Sequence, residues 1–166
     1  MFLKNHDHTI CLDTLKLQAI ELCRQKKERL TPQRLEVLLG LARMHSARSA
    51  YELLAELQGD GPKLSPTHVY RALDFWHKLG FVHKIGSLDR FAVCFNIKDT
   101  HQHIVLCCSI CYKVCELCDH RAGFDLAGSL KAQGFSVQSV HHVEIIAQCD
   151  QCTKAAKTLD KSPWPA

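Results

Sequence analysis

Apolar residues recur along the first half of the chain at helical spacing. Leu12, Leu15, Ala19, Leu22 and Cys23 make one face of an amphipathic helix that should run to about Arg29. Thr31-Pro32 then supplies a hydroxyl N-cap followed by proline at the first helical position, and the helix it opens turns Leu35, Leu38, Leu39 and Ala42 inward. Ser49-Ala50-Tyr51-Glu52 has the spacing of a capping box; the short helix behind it carries Leu53, Leu54 and Leu57 and should stop at Gly59, before the turn Asp60-Gly61-Pro62. Ser65-Pro66 opens a fourth helix, whose stripe is Val69, Ala72, Leu73, Trp76 and Leu79, with Gly80 as its stop.

The period then changes to two. Phe81 to Ile85 and Arg90 to Phe95 are β-prone runs flanking Gly86-Ser87-Leu88-Asp89, which predicts a hairpin. Short helices followed by a hairpin outline a winged helix-turn-helix, although the pattern also fits an ordinary small α+β domain. Asn96 to Thr100 reads as a connector. Beyond it Ile104 to Cys108 and Val114 to Leu117 read as strands, Ala122 to Gln133 as a helix stopped by Gly134, and Phe135 to Val140 and His142 to Gln148 as further strands. Residues from Thr153 on, with Ser162-Pro163-Trp164-Pro165, read as a frayed tail. The expected fold is therefore α+β. Residues 1–95 should form a winged helix-turn-helix domain, 96–153 a small α/β domain and 154–166 a flexible tail.

Composition sharpens this division. Residues 1–90 hold 14 Lys and Arg against 10 Asp and Glu, whereas residues 91–166 hold 7 of each, so the net charge of +4 belongs to the helical half. A basic surface suits a polyanion, and equally a solvated face. Eight of the ten cysteines lie at or beyond Cys94. No run approaches the roughly 18–20 apolar residues of a membrane span, and Met1 to Asp7 has no apolar core of a secretory signal. The expected setting is a reducing cytoplasm, where thiols serve as metal ligands or redox centres.

Cys108-x-x-Cys111 and Cys149-x-x-Cys152 are the most specific motif. Each pair lets one tight turn present two sulfurs to one ion, and two such knuckles complete a closed, structural shell of four sulfurs. The 37 intervening residues mean that the second knuckle must return across a helix and strands. Cys115-x-x-Cys118 offers an alternative partner for the first pair, in a compact metal or iron–sulfur site, or a redox pair of its own. A second, scattered constellation comprises His83, Cys94, His101, His103 and Glu116, plus His141 and His142. Its members fall on the hairpin, the connector and the strand after the first knuckle, where two domains meet. One thiolate, two imidazoles and a carboxylate there would suit a second zinc and turn metal occupancy into domain orientation. Thr67, His68, Tyr70, Arg71 and Asp74 lie on the exposed face of the fourth helix, where arginine can read guanine or clamp phosphate; Tyr70 could instead pack into the core. No nucleophile–base set, P-loop or dinucleotide fingerprint is present, so an enzyme is not expected.

Arg29-Leu30-Thr31-Pro32-Gln33-Arg34, Ser49-Ala50-Tyr51-Glu52-Leu53-Leu54, Val69-Tyr70-Arg71-Ala72-Leu73 and Gly80-Phe81-Val82-His83-Lys84 resemble the ferric uptake regulator superfamily, and within it the zinc uptake regulator branch, over roughly residues 12–153. The resemblance implies a cytoplasmic, homodimeric repressor of zinc-uptake genes that binds a palindromic double-stranded operator. Carried over by residue, it implies structural zinc on Cys108, Cys111, Cys149 and Cys152, and regulatory zinc on His83, Cys94, His101 and Glu116. It also implies operator contacts from Tyr51, Tyr70 and Arg71, and a C-terminal domain that dimerises; no membrane or small organic substrate is implied. An iron- or peroxide-responsive relative is the alternative, against which the soft Cys94 thiolate argues. Several positions depart from the family pattern. His101-Gln102-His103 replaces a longer histidine run, Cys107 is extra, Ala147 stands for a glycine, and Cys115 adjoins Glu116. His103 and His141 fall near an additional metal position of other branches.

Overall fold

The computed structural model describes residues 8–44, 46–58, 64–95, 97, 103–117, 126–136 and 142–159. The helices are α1 (His8–Gln25), α2 (Pro32–Arg43), α3 (Ala50–Leu57) and α4 (Pro66–Lys78). A hairpin follows, β1 (Val82–Ile85) and β2 (Arg90–Val93), joined through a 3₁₀ turn at Gly86–Leu88. The second half contains β3 (His103–Cys108), β4 (Val114–Leu117), α5 (Leu126–Ala132), β5 (His142–Ala147) and α6 (Asp150–Leu159). None of the described helices is long and apolar enough to cross a membrane.

The helix starts follow from capping chemistry. Thr31 accepts from the Arg34 N–H, and Ser49 and Glu52 cap each other reciprocally at the head of α3. Ser65 caps α4 in the same way, with His68 taking the place of the usual acid. The predicted stripes lie inward, and Trp76, Phe81, Leu38, Leu53 and Leu73 are fully buried with Val37 and Leu41 from the same α2 surface. The Trp76 indole N–H donates to the Arg34 carbonyl at 2.6 Å, which removes the cost of burying it.

Helix ends show where the pattern needed correction. Gly80 (φ 82°) and Gly134 (φ 85°) close α4 and α5 by paired backbone bonds, Phe81 N–H to Trp76 and Gly80 N–H to His77 in the first case, Phe135 N–H to Leu130 and Gly134 N–H to Lys131 in the second. The same closure ends α1 at Gln25, before the expected Arg29, because Lys27 adopts φ 55° and Glu28 N–H reaches the Cys23 carbonyl. Phe135 and Ser136 belong to the turn after α5 rather than to a strand; Gly59 to Pro62, Ala122 to Asp125 and Val137 to Val140 lie outside the described residues. The expected frayed tail from Thr153 is corrected by α6. Asp150 sits in its first turn and pairs with Lys154 at 2.7 Å, so both the helix dipole and an i,i+4 pair favour helix there.

The C-terminal sheet has the order β4-β3-β5, with β4 antiparallel and β5 parallel to β3. A small cluster, Ala47, Ile85, Ala92, Val105 and Cys107 with Leu88, Tyr112 and Val114 against it, packs the hairpin onto this sheet. Two backbone bridges tie the segment before α3 to both parts, Ser46–Lys113 beside β4 and Arg48–Phe91 on the hairpin.

Candidate metal centres

Parallel pairing explains how distant knuckles meet. Register places Cys108 opposite Ala147, so the ends of β3 and β5 emerge side by side and the Ser109 N–H bonds to the Ala147 carbonyl at 2.9 Å. Cys108 and Cys111 flank the turn after β3; Cys149 follows β5, and Cys152 lies in the first turn of α6. All four sulfurs lie within 4.8 Å of one another, with 3.7 Å between Cys111 Sγ and Cys149 Sγ. The Cys149 N–H points at Cys108 Sγ from 3.4 Å.

The electrostatics suit a cation. Burial opposes ionisation of Cys108, but the N–H groups of Cys111, Cys149 and Ile110 outweigh it and bring the thiol down to about 6. Cys152 is pushed up to about 12, first by its hydrogen bond with Cys149 and then by burial. One thiolate is thus stabilised while Cys111 and Cys152 resist ionising. Four soft donors in this volume, with N–H groups aimed at sulfur, fit a tetrahedral zinc.

The second cluster spans the two halves. β1 positions His83, the residue after β2 is Cys94, and β4 supplies Glu116. Their ligand atoms lie within 4.8 Å; His83 Nε2 is 3.0 Å from Glu116 Oε1, and the Cys94 thiol is 3.9 Å from Glu116 Oε2. His83 and Cys94 are buried, and only 8 % of the Glu116 side chain is exposed. Burying a carboxylate without a cation is unfavourable, so nitrogen, sulfur and oxygen donors converging here suit a divalent metal. His101, His141 and Cys118 lie outside the described residues, as do the side chains of His103 and His142.

Cys107 is buried in the hairpin–sheet cluster, where desolvation pushes its thiol up to about 11. Cys115 is half-buried, and among the described residues neither metal cluster includes it.

Of the residues expected to face nucleic acid, Thr67, His68 and Arg71 are exposed on α4 and Tyr51 is exposed on α3. His68 also accepts from Ser65 as a cap, which fixes its ring at the start of α4. Tyr70 is half-buried, with edge-to-face contacts to Tyr51 at 6.3 Å and Phe91 at 6.5 Å, so its ring packs against the core as well as bordering the exposed face. Pattern reading missed Glu144, whose carboxylate accepts from Gly86 N–H at 2.8 Å and the Ser87 hydroxyl at 2.9 Å, and Tyr112, on which Arg90 stacks. No motif announces either contact, since each joins residues far apart in the chain.

Comparison with known proteins gives a consistent picture. The model of the ferric uptake regulator family matches residues 25–146. The zinc uptake regulation protein of Escherichia coli (strain K12) is 38% identical over 143 residues, which cover 84% of this chain and 82% of the relative. Among solved structures, a zinc uptake regulator complexed with zinc and DNA superposes with TM-score 0.75 at 36% identity, covering 88% of this chain and 97% of the other. XcZur is 32% identical. Its holo form gives TM-score 0.70, covering 85% of this chain and 98% of that one; its apo form gives 0.50, covering 86% and 97%. The fold described above is therefore closer to that protein's holo arrangement.

Proposed function

The chain belongs to the ferric uptake regulator family, and from that premise we propose that it is a zinc-responsive, DNA-binding transcriptional repressor of zinc-uptake genes. The observation that carries the zinc reading is the buried His83–Cys94–Glu116 cluster, whose donors come from both sides of the hairpin–sheet junction. The likeness to a zinc uptake regulator complexed with zinc and DNA supports it.

Two zinc ions per subunit are proposed. Cys108, Cys111, Cys149 and Cys152 would hold the structural one; His83, Cys94 and Glu116, with His101 as fourth donor, would hold the regulatory one. Zinc at the second site would supply a divalent charge that balances the Glu116 and Cys94 anions and ties hairpin to sheet. The rest of the device is the chain's own. His83 and Cys94 sit on opposite arms of the hairpin, so fixing both against Glu116 fixes the wing. The wing packs against the helical core containing Val69, Leu73 and Trp76, so its orientation also sets that of α4.

In this reading residues 1–95 bind DNA and 96–153 mediate homodimerisation. Tyr51, Thr67, His68, Tyr70 and Arg71 face a palindromic operator, whose half-sites match the two winged helices of the dimer. The site of action is the cytoplasm, and the protein is a regulator rather than an enzyme. The thiolate at Cys94 favours zinc over iron(II). Metal analysis of purified protein, followed by operator binding under buffered zinc and buffered iron(II), tests the proposal. Tight binding with zinc alone supports it; binding driven by iron(II) and indifferent to zinc refutes it.

A further inference from the structure

Among the described residues, Lys27, Asp89 and Tyr112 are the non-glycine residues with positive φ. Tyr112, at φ 58°, directly follows Cys111 in a conformation that glycine adopts without strain and a large aromatic does not. Its side chain has a specific engagement. The Arg90 guanidinium carbon sits over the Tyr112 ring, 3.4 Å from its centroid, and the Arg90 side chain is only 13 % exposed. The same guanidinium forks onto Glu52, at 2.5 and 3.1 Å, and reaches the Ala47 carbonyl at 3.3 Å. Stacking on one face and bidentate pairing at the edge use the two capacities that distinguish arginine from lysine.

Both ends of this chain of contacts matter. Glu52 accepts from the Ser49 N–H at 2.8 Å and so holds the first turn of α3, in which Tyr51 is the exposed residue packed on Tyr70 of α4. The Ala47 N–H donates to the Tyr112 carbonyl at 2.7 Å, pinning the segment before α3 to the same knuckle.

We propose that Tyr112 and Arg90 are positioning residues that transmit the order of the Cys108–Cys111 knuckle to α3 and its DNA-facing Tyr51. The structural centre thereby sets operator affinity as well as stabilising its own sheet. This inference rests on the DNA-binding reading above. Emptying the four-cysteine centre frees the knuckle, and with it the Tyr112 ring, Arg90, Glu52 and the head of α3.

The probe is a duplex selected from a random-sequence pool by the zinc-loaded wild-type protein. Tyr112→Gly removes the ring and relieves the backbone at that position, so the knuckle is expected to bind zinc as in wild type. Operator affinity of Tyr112→Gly and of Arg90→Gln should each fall about tenfold, and the double variant should lose no more than either alone. Tyr112→Phe keeps the stacking face and should stay within about twofold of wild type. Amide exchange across Ala47 to Leu53 should quicken in both weakened variants while zinc content is unchanged. Additive losses, wild-type affinity, or unchanged exchange in Arg90→Gln would overturn the inference. If the wild type selects no duplex with zinc, the DNA-binding reading fails instead, while the exchange measurement still reads the linkage on its own.

Discussion

The two metal clusters differ in where their donors come from. Cys108, Cys111, Cys149 and Cys152 all belong to the C-terminal sheet and its flanking turn and helix, and are brought together by one strand register. His83, Cys94 and Glu116 come from the hairpin on one side and β4 on the other. An ion shared by ligands of one folding unit stabilises that unit, whereas an ion shared between units reports their relative position. Ligand chemistry follows the same division. Four thiolates give a closed, strongly held site, and a mixed nitrogen, sulfur and oxygen set gives one that can fill and empty.

The four-cysteine centre is most sensitive at Cys111. Cys111→Ser should lose one zinc per chain and the ordered C-terminal sheet, because a structural zinc supplies about 10–16 kcal/mol in small zinc modules near neutral pH. Zinc analysis with amide exchange of β3 and β5 checks this; a protected sheet without that zinc contradicts the structural role.

His83→Ala or Cys94→Ser should leave the four-cysteine zinc and a folded dimer but reduce zinc-dependent operator binding to the non-specific level, about a thousandfold or more. Sedimentation and binding titrations read the two parts separately. Glu144→Gln loosens the contact between hairpin and sheet. It weakens the charge-assisted bonds from the Gly86 amide and the Ser87 hydroxyl, costing about 1 kcal/mol, and should appear as faster exchange at the Gly86 amide with both metals retained.

The smallest effect concerns pH. The Arg90 hydrogen bond, with support from Ser49, holds the Glu52 carboxyl below its usual range against the opposing effect of burial. A depressed carboxylate contributes stability above its unfolded pKa and loses it as pH falls through the folded value. The stability difference between wild type and Glu52→Gln should therefore be constant above about pH 5 and close progressively below about pH 4. Thermal melts across that range check the sign.

Much of this architecture was legible because it is written in local chemistry. Thr31, Ser49 and Ser65 announce helix starts, and Gly80 and Gly134 announce helix ends, since each satisfies backbone groups within a few residues. The end of α1 was not legible: Lys27 adopts the same closing conformation without being glycine. The helix from Asp150 was hidden for a different reason. Prolines at 163 and 165 suggested a loose tail, although the preceding Asp150-to-Lys154 segment has helix-favouring charges and alanines beyond it. The cysteine knuckles were legible as two pairs, but their meeting depends on the parallel Cys108–Ala147 register, which no local pattern encodes. His83, Cys94 and Glu116 were legible as scattered donors, and only the packing of hairpin on sheet brings them within 4.8 Å. The stacking of Arg90 on Tyr112 is of the same long-range kind.

The division of labour between the two centres is tested most directly by titrating zinc into metal-free protein in the presence of its selected duplex, with zinc occupancy of each cluster and DNA binding followed together. The expected result is that the first equivalent fills the four-cysteine cluster without specific binding, and that binding rises with the second equivalent as His83 and Cys94 become metal-bound. Full operator binding at the first equivalent, with His83 and Cys94 still metal-free, would contradict it.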